Sequence, residues 1–330
     1  MTLHRFRPES RALQDNPCSD PTVRDLWVYT PPGYEESDRR YPVLWCLTGF
    51  TGTGAMALAG NRWAPGVPAR MDRFIEQGSP PAIVAFPDCF TRWGGSQYVN
   101  SAALGRYEDY LCDELVPLVD AELRTSPERG ARGVFGKSSG GYGALRLGMR
   151  RPELFGALAC HSGDMGFEFC YVPDFAPCAA RIAAVGSLEK WVEQFESCEK
   201  KRPEDHCVIN TLAMAAAYSP DADAPLGIRL PFDLETAEVD AETWSRWKEN
   251  DPVEMVRRPE CAEALESMAL VFLDCGCNDE YRLHMGLRLF RRRLKELGIE
   301  AVIEEFEDNH RMIGYRYEVS LPLLLRALGD

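Results

Sequence analysis

Apolar positions along the chain follow two alternating patterns. The run from Tyr41 to Leu47 is continuous and has the length of a strand covered on both faces, as in a parallel sheet. Between residues 106 and 122 the apolar side chains recur every three or four positions, which indicates a helix packed on one face. Strand and helix patterns alternate in this way over much of the chain. The alternation predicts an α/β fold with a mostly parallel, doubly wound sheet.

The predicted elements follow one another in a regular order. An antiparallel hairpin comes first, with a polar strand near residues 10–13 and a second strand at 25–30. Further strands are predicted at residues 41–47, 82–86, 156–161, 268–274 and 300–306, with one more leading into residue 136. Helices are predicted at residues 68–77, 106–122, 139–150, 281–297 and 317–328.

The alternation is interrupted once, after Ser162. The block from Asp164 to Glu260 carries 20 acidic and 10 basic residues together with many aromatic ones. We predict a core formed by residues 1–162 and 263–330, and a large insertion at 163–262 that caps a pocket. A solubilising acidic appendage or a dimer contact is the alternative interpretation of the insertion.

A glycine-rich turn is the stretch most informative about function. Gly136, Ser138 and Gly140 form the pattern G-x-S-x-G between a strand pattern and a helix pattern. In this motif the serine occupies a sharp, strained turn, and the glycines leave room where a side chain would strike neighbouring backbone. Ser138 is the predicted nucleophile rather than Ser139, because shifting the frame would place Lys137 at one of the tight positions.

A serine hydroxyl needs a general base to act as a nucleophile, and the base needs an orienting carboxylate. His310 is the preferred base among five histidines, since it follows the last predicted strand on a short polar turn. His161 is the main alternative, because it ends another strand and strand ends line the ligand crevice. Asp279 is the preferred acid and Asp274 its alternative, because Asp274 closes the strand while the following loop can carry Asp279 towards the histidine.

The oxyanion that develops during acyl transfer needs backbone N–H donors. Ser139 at the start of the helix is one predicted donor, and Phe50 in the loop after the first parallel strand is the other. Gly49 allows that loop to come close. The long loop before residue 101 carries aromatic and amide side chains, and we predict that Trp93 and Tyr98 line the floor of the substrate pocket.

These residues resemble, in identity and order, the putative esterase family of α/β hydrolases, which includes esterase D (S-formylglutathione hydrolase), enterochelin esterase-like proteins, feruloyl esterases and the mycolyltransferases. The matching segments lie within residues 22–162 and 266–328 and are Tyr41 to Gly54, Tyr98-x-Asn100-Ser101, Gly136 to Leu145, Gly276-x-x-Asp279 and His310. The resemblance implies an α/β-hydrolase fold. It also implies Ser138, Asp279 and His310 as a catalytic triad, with Phe50 and Ser139 as the oxyanion hole.

Three features depart from the family pattern. Thr48 stands where many members have His or Asp before the oxyanion glycine. The segment after His310, which is aromatic in many members, is Arg311-Met-Ile-Gly-Tyr here. The excursion after His161 is also long, and we expect substrate selectivity to be determined there.

The expected reaction is hydrolysis of short-chain or small aryl esters through an acyl-enzyme formed on Ser138. Activity is expected to rise as the base, His310, loses its proton and to hold at alkaline pH. Alternatives are acyl transfer to an alcohol by the same triad and an S-formylglutathione-type thioesterase. A catalytically silent binding protein with a hydrolase fold is the non-enzymatic alternative.

Composition narrows the partners. The chain has 330 residues, 45% apolar content and a net charge of −14, which suits a large buried core and argues against nucleic acid or anionic membrane as a partner. Scattered cysteines and the lack of a signal-like or membrane-spanning stretch lead us to expect a cytoplasmic protein. We expect a small-molecule ester as partner, and a homodimer remains open. No cofactor and no metal are predicted, since the cysteine and histidine spacings match no zinc finger.

Overall fold

Hydrophobic strands form a central sheet in the computed structural model, which describes residues 1–329. The strands are β1 (Thr2–Phe6), β2 (Leu26–Thr30), β3 (Val43–Leu47), β4 (Ile83–Pro87), β5 (Asn100–Ser101), β6 (Gly105–Arg106), β7 (Arg132–Lys137), β8 (Ala157–His161), β9 (Leu270–Gly276) and β10 (Val302–Phe306). Eight of them form one sheet in the order β1-β2-β4-β3-β7-β8-β9-β10, and β5 pairs with β6 in a separate ribbon. β2 pairs antiparallel with β1 and with β4, and among the described residues these are the only antiparallel pairings in this sheet. The predicted mostly parallel sheet is confirmed.

Helices connect the strands. They are α1 (Val67–Glu76), α2 (Tyr107–Asp109), α3 (Val116–Glu122), α4 (Ser139–Arg150), α5 (Phe167–Cys170), α6 (Val172–Val185), α7 (Leu188–Ser197), α8 (His206–Tyr218), α9 (Ala241–Lys248), α10 (Pro252–Met255), α11 (Pro259–Glu266), α12 (Leu283–Leu297) and α13 (Tyr317–Gly329). Between α2 and α3 the chain continues as a π-helix over Tyr110–Leu115, so the helix predicted at 106–122 consists of three segments with two hydrogen-bond patterns, α, π and α. None of the helices within residues 1–329 has both the length and the apolar character needed to cross a membrane.

Both faces of the sheet are covered, which explains why its strands are continuous apolar runs. On one face, α1 and α13 pack on side chains such as Leu44, Val84 and Phe135. On the other face, α3, α4 and α12 pack on side chains that include Trp45 and Val134. All residues of β3, β4 and β8 are buried.

The N-terminal hairpin differs from the predicted one. The strand that pairs with β2 is Thr2–Phe6 and not the segment at 10–13. That segment turns instead, because the carboxylate of Glu114 accepts hydrogen bonds from Oγ of Ser10 (2.5 Å) and from the N–H of Ala12 (2.9 Å). A carboxylate from a distant helical segment therefore decides the local conformation.

The segment between β8 and β9 contains the seven helices α5 to α11. Its core residue Trp247 is fully buried, and the indole N–H donates to Oγ of Ser219 (2.8 Å). Tyr142 of α4 joins this core to the sheet. Its ring lies 6.1 Å from that of Tyr218, and its hydroxyl donates to the carbonyl oxygen of Asn250 (3.1 Å). The insertion and the sheet therefore share one hydrophobic cluster, while the predicted boundaries at 163 and 262 stay a prediction.

Replacing Trp247 by alanine is expected to lower the free energy of unfolding by about 3–5 kcal/mol, because it leaves a large cavity in this shared cluster. The denaturant-induced transition should remain single and move to lower denaturant concentration, as read by far-UV circular dichroism and fluorescence. Trp63→Ala is the matched control. Its side chain is 92% exposed, so stability should change by no more than about 0.5 kcal/mol. A separate early transition in the Trp247 variant would contradict a shared core.

Candidate active site

The turn between β7 and α4 holds Ser138 in a strained backbone conformation, with φ 58° and ψ −129°. A left-handed φ is unfavourable for a residue with a Cβ, so surrounding contacts must enforce it. The N–H of Ser138 donates to the carbonyl oxygen of His161 (2.9 Å), and its own carbonyl accepts from the N–H of Tyr142 (2.8 Å). The serine therefore lies at the carboxyl ends of the parallel strands.

Glycines on both sides of the serine allow this turn. A methyl group at Gly136 would lie 2.5 Å from the carbonyl carbon of Gly140. One at Gly140 would overlap the carbonyl oxygen of Leu47 and lie 2.8 Å from that of Thr48. The two tight positions are those that the frame centred on Ser138 predicts.

Two further loops bring an imidazole and a carboxylate to Ser138. Nε2 of His310, in the turn after β10, lies 3.0 Å from Oγ of Ser138. Nδ1 of the same ring lies 2.7 Å from Oδ2 of Asp279, in the loop after β9. The other oxygen of Asp279 accepts a hydrogen bond from the N–H of Tyr281 (2.9 Å). The structure thus brings together the three side chains that the sequence singled out.

The alternative histidine and acid form a separate buried pair. Nδ1 of His161 lies 2.8 Å from Oδ1 of Asp274, and its Nε2 lies 2.8 Å from Oγ of Ser320 on α13. Nε of Arg316 donates to the other oxygen of Asp274 (2.8 Å). Because these atoms are engaged beneath α13, the His161 ring is not brought to Ser138.

Both predicted oxyanion donors lie beside Ser138. The N–H of Ser139 is the first of α4 and has no acceptor within the helix. The N–H of Phe50 donates to no protein group within residues 1–329. Its loop passes directly against the serine, since a Cβ added at Gly49 would lie 3.3 Å from Cβ of Ser138. The N–H of Thr51 fixes this loop by donating to a carbonyl oxygen of the neighbouring loop (2.9 Å).

A cavity of about 1300 Å³ opens at Ser138. Its apolar and aromatic wall residues include Leu47, Phe50, Met56, Phe90, Tyr171, Phe195, Ile209, Tyr281 and Met312. Trp93 and Tyr98 do not belong to this wall, which corrects the expectation that they form its floor. Each is only 3% exposed. Tyr98 packs behind the site instead, where its hydroxyl donates to the carbonyl oxygen of Thr48 (2.7 Å).

Three residues of the wall were not singled out from the sequence. Nε2 of His206 lies 2.9 Å from the hydroxyl of Tyr281, whose ring stands edge-on to that of His310 at 4.9 Å. Phe50 stacks on His206 with ring centroids 6.1 Å apart. Asp164, the third, follows β8 by three residues. The rule that strand ends line the crevice could have found Asp164, whereas no sequence signal marks His206.

Burial shifts the pKa values of several ionisable groups in the wall, among them Lys137, His206 and Asp164. Loss of hydration lowers the pKa of Lys137 and that of His206. Burial raises the pKa of Asp164, although hydrogen bonds to its carboxylate oppose this shift. All three shifts are towards the neutral form, because burial disfavours a charged group.

A mostly parallel sheet with a serine elbow at the carboxyl ends of its strands defines the α/β-hydrolase class. Residues 21–280 match the family described as "Putative esterase". The chain belongs to this family, and the resemblance found in the sequence is confirmed.

Individual relatives point in the same direction. The "Endo-1,4-beta-xylanase/feruloyl esterase" of Xylanibacter ruminicola is 30% identical over 174 residues, or 49% of this chain. The aligned part is only 22% of that relative's length. A solved ferulic acid esterase matches 99% of this chain and 98% of its own, with TM-score 0.63 and 18% identity. An S-formylglutathione hydrolase from Agrobacterium tumefaciens matches 99% and 95%, with TM-score 0.59 and 18% identity. At such identity the structural similarity shows the fold.

Gly140→Ala is expected to destabilise the protein, because the added methyl group meets backbone that cannot move aside. The cost should reach the upper end of the roughly 1–3 kcal/mol typical of overpacked sites. Thermal unfolding measures it. Gly130→Ala is the matched control, since no atom lies within 4 Å of its added carbon. Equal unfolding temperatures for the two variants would contradict the tight fit at the elbow.

Proposed function

We propose that the chain is a serine carboxylesterase whose catalytic triad is Ser138, His310 and Asp279. The observation that carries the proposal is the unbroken series of contacts from the serine hydroxyl through both imidazole nitrogens to the carboxylate. Membership of an esterase family supports the same reaction class.

Each contact has a distinct role in the proposed mechanism. An ionised carboxylate only accepts hydrogen bonds, so Asp279 selects the tautomer of His310 that carries its proton on Nδ1. Nε2 is then free to take the hydroxyl proton as Oγ of Ser138 attacks the ester carbonyl. The imidazolium gives this proton to the departing alcohol, which leaves an acyl-enzyme. Water, deprotonated by the same imidazole, then attacks the acyl carbon, and the imidazolium returns the proton to Oγ of Ser138 as its bond to the acid breaks.

The N–H groups of Ser139 and Phe50 stabilise the negative charge that forms on the carbonyl oxygen. Both belong to backbone that other hydrogen bonds already hold, so little reorganisation accompanies the reaction. Ser139 also begins α4, and the positive end of the helix dipole favours an anion at this position.

Short-chain or small aryl esters are the proposed substrates. The cavity wall includes Leu47, Phe50 and Ile209, and such side chains favour an uncharged alkyl or aryl group. The feruloyl and ferulic acid esterases among the relatives fit an aryl acyl group.

Thioesters with an anionic leaving group form a second candidate substrate class. Lys201 and Arg202 line the cavity, and neither forms an ion pair within the described part of the chain. Uncompensated cations of this kind attract anionic ligands, and they stand out in a chain of net charge −14. The S-formylglutathione hydrolase among the structural neighbours is consistent with this class.

Ser138→Ala and His310→Ala are each expected to lower kcat for p-nitrophenyl acetate on the order of 10⁴-fold or more, because the triad acts as a unit. The double variant should be no worse than either single one. A fluorophosphonate should label wild-type Ser138 covalently. His4→Ala, on the edge strand β1, is the control and should keep the wild-type kcat. Full turnover by the Ser138 variant would refute the proposed mechanism.

A double variant, Lys201→Ala with Arg202→Ala, tests the second substrate class. Exposed ion pairs contribute about 0.2–1 kcal/mol each, so kcat/KM for a carboxylate-bearing thioester should fall about two- to thirtyfold relative to a neutral thioester. Added salt should reduce the wild-type preference as well. Arg292→Ala, on the exposed face of α12, is the control. An unchanged preference in the double variant would exclude this class without affecting the triad.

A further inference from the structure

Asp164 is a buried carboxyl group in the wall of the active-site cavity. It is 8% exposed and lines the cavity together with Ser138 and Ser139. Its Oδ2 lies 3.4 Å from Oγ of Ser139, the residue next to the proposed nucleophile. The carboxyl group therefore lies in the cavity wall, next to the residue that follows the proposed nucleophile.

All hydrogen bonds of this carboxyl converge on one oxygen. Oδ2 accepts from Nε2 of Gln97 and from the hydroxyl of Tyr171, each at 3.0 Å. Oδ1 accepts no hydrogen bond within residues 1–329, and protein atoms do not seal it off. Across the same residues, no lysine, arginine or histidine forms an ion pair with Asp164. One carboxyl oxygen thus faces the cavity with its hydrogen-bonding capacity unused.

The loop whose Gln97 side chain donates a hydrogen bond to this carboxyl is strained. Gln97 and Tyr98 have consecutive left-handed φ values of 51° and 54°, a conformation that persists only where the surroundings enforce it. In this conformation the Gln97 amide nitrogen lies 3.0 Å from Oδ2 of Asp164 and 3.2 Å from the hydroxyl of Tyr218. Oε1 of Gln97 is itself buried without a partner. This cluster therefore contains more hydrogen-bond acceptors than there are protein donors to pair with them.

We propose that Asp164 determines substrate specificity by accepting a hydrogen bond from a hydroxyl or ammonium group of the ester, close to its scissile bond. The proposal rests on the proposed esterase function, because it requires an ester bound at Ser138. A substrate that supplies this donor completes the coordination of Oδ1. A plain alkyl or ether group would instead cover the oxygen and leave a desolvated acceptor unpaired, which a site of this kind disfavours strongly.

Matched esters test the proposal. One series contains p-nitrophenyl esters of butanoic, 2-hydroxybutanoic, 3-hydroxybutanoic, 3-aminobutanoic and 3-methoxybutanoic acids. A second series contains acetates of 1-butanol, 1,3-butanediol and 3-methoxybutanol, which place the donor on the leaving alcohol. A hydrogen bond to a charged group contributes enough for a preference of about tenfold to hundredfold in kcat/KM. The wild type should show this preference for a donor-bearing ester over its alkyl and methoxy counterparts.

Three variants separate recognition from folding. In Asp164→Ala, the ratio of kcat/KM for a donor-bearing ester to that for its alkyl or methoxy counterpart should fall close to 1. Asp164→Asn keeps the shape and one acceptor, so it should retain a weaker hydroxyl preference and lose any ammonium preference. Asp205→Asn is the matched control: Asp205 also lines the cavity, but Arg181 and the Trp191 indole already engage its carboxylate. Fluorophosphonate labelling of Ser138 measures the fraction of protein with a folded active site in every preparation.

The proposal fails if the wild type prefers no donor-bearing ester in either series, or if the preference survives in Asp164→Ala. If Ser138→Ala loses p-nitrophenyl butanoate hydrolysis in the same assay, the proposed esterase function is still supported in that case. Absence of hydrolysis in the wild type would contradict the proposed esterase function itself. Failure of the specificity proposal and failure of the esterase function are therefore distinguishable.

Discussion

Direct backbone packing between the elbow and the end of β3 is the constraint on which the site depends. Gly140 lies against the carbonyl groups of Leu47 and Thr48, and Gly49 lies against Ser138. Because no side chain separates these segments, main-chain geometry fixes the distance between Ser138 and the loop that carries Phe50. The strained φ of Ser138 is tolerated because β7 and α4 hold both ends of the turn.

The same principle positions His310 and Asp279. β9 and β10 are neighbours in register, with Phe306 opposite Gly276. Beyond them the two loops remain bonded, since the N–H of Asn278 donates to the carbonyl oxygen of Asp308 (3.0 Å). The N–H of His310 also donates to the carboxylate of Glu280 (2.8 Å). His310 and Asp279 are therefore held by strand pairing, by backbone hydrogen bonds between their loops and by the carboxylate of Glu280.

Sequence reasoning identified the features whose causes are local. The glycines around Ser138 are required by the turn itself, and His310 follows from its place after the last strand. Trp93 was misplaced because an aromatic residue in a long loop can also serve the core. Here the Arg92 guanidinium covers the Trp93 ring, 4.9 Å from its centroid, and the side chain is buried. β1 was missed since an edge strand with one solvated face shows little apolar pattern.

The insertion shows why composition did not reveal what faces the cavity. Its segment is strongly acidic, yet Glu189, Glu193 and Glu199 are exposed and lie outside the cavity wall. The two acidic residues of its cavity wall beyond residue 170 are both neutralised. Glu196 pairs with Arg92 and Asp205 pairs with Arg181, at 2.5 and 2.7 Å. The insertion therefore presents its negative charge to solvent, and only the burial of individual side chains shows which charges a substrate would meet.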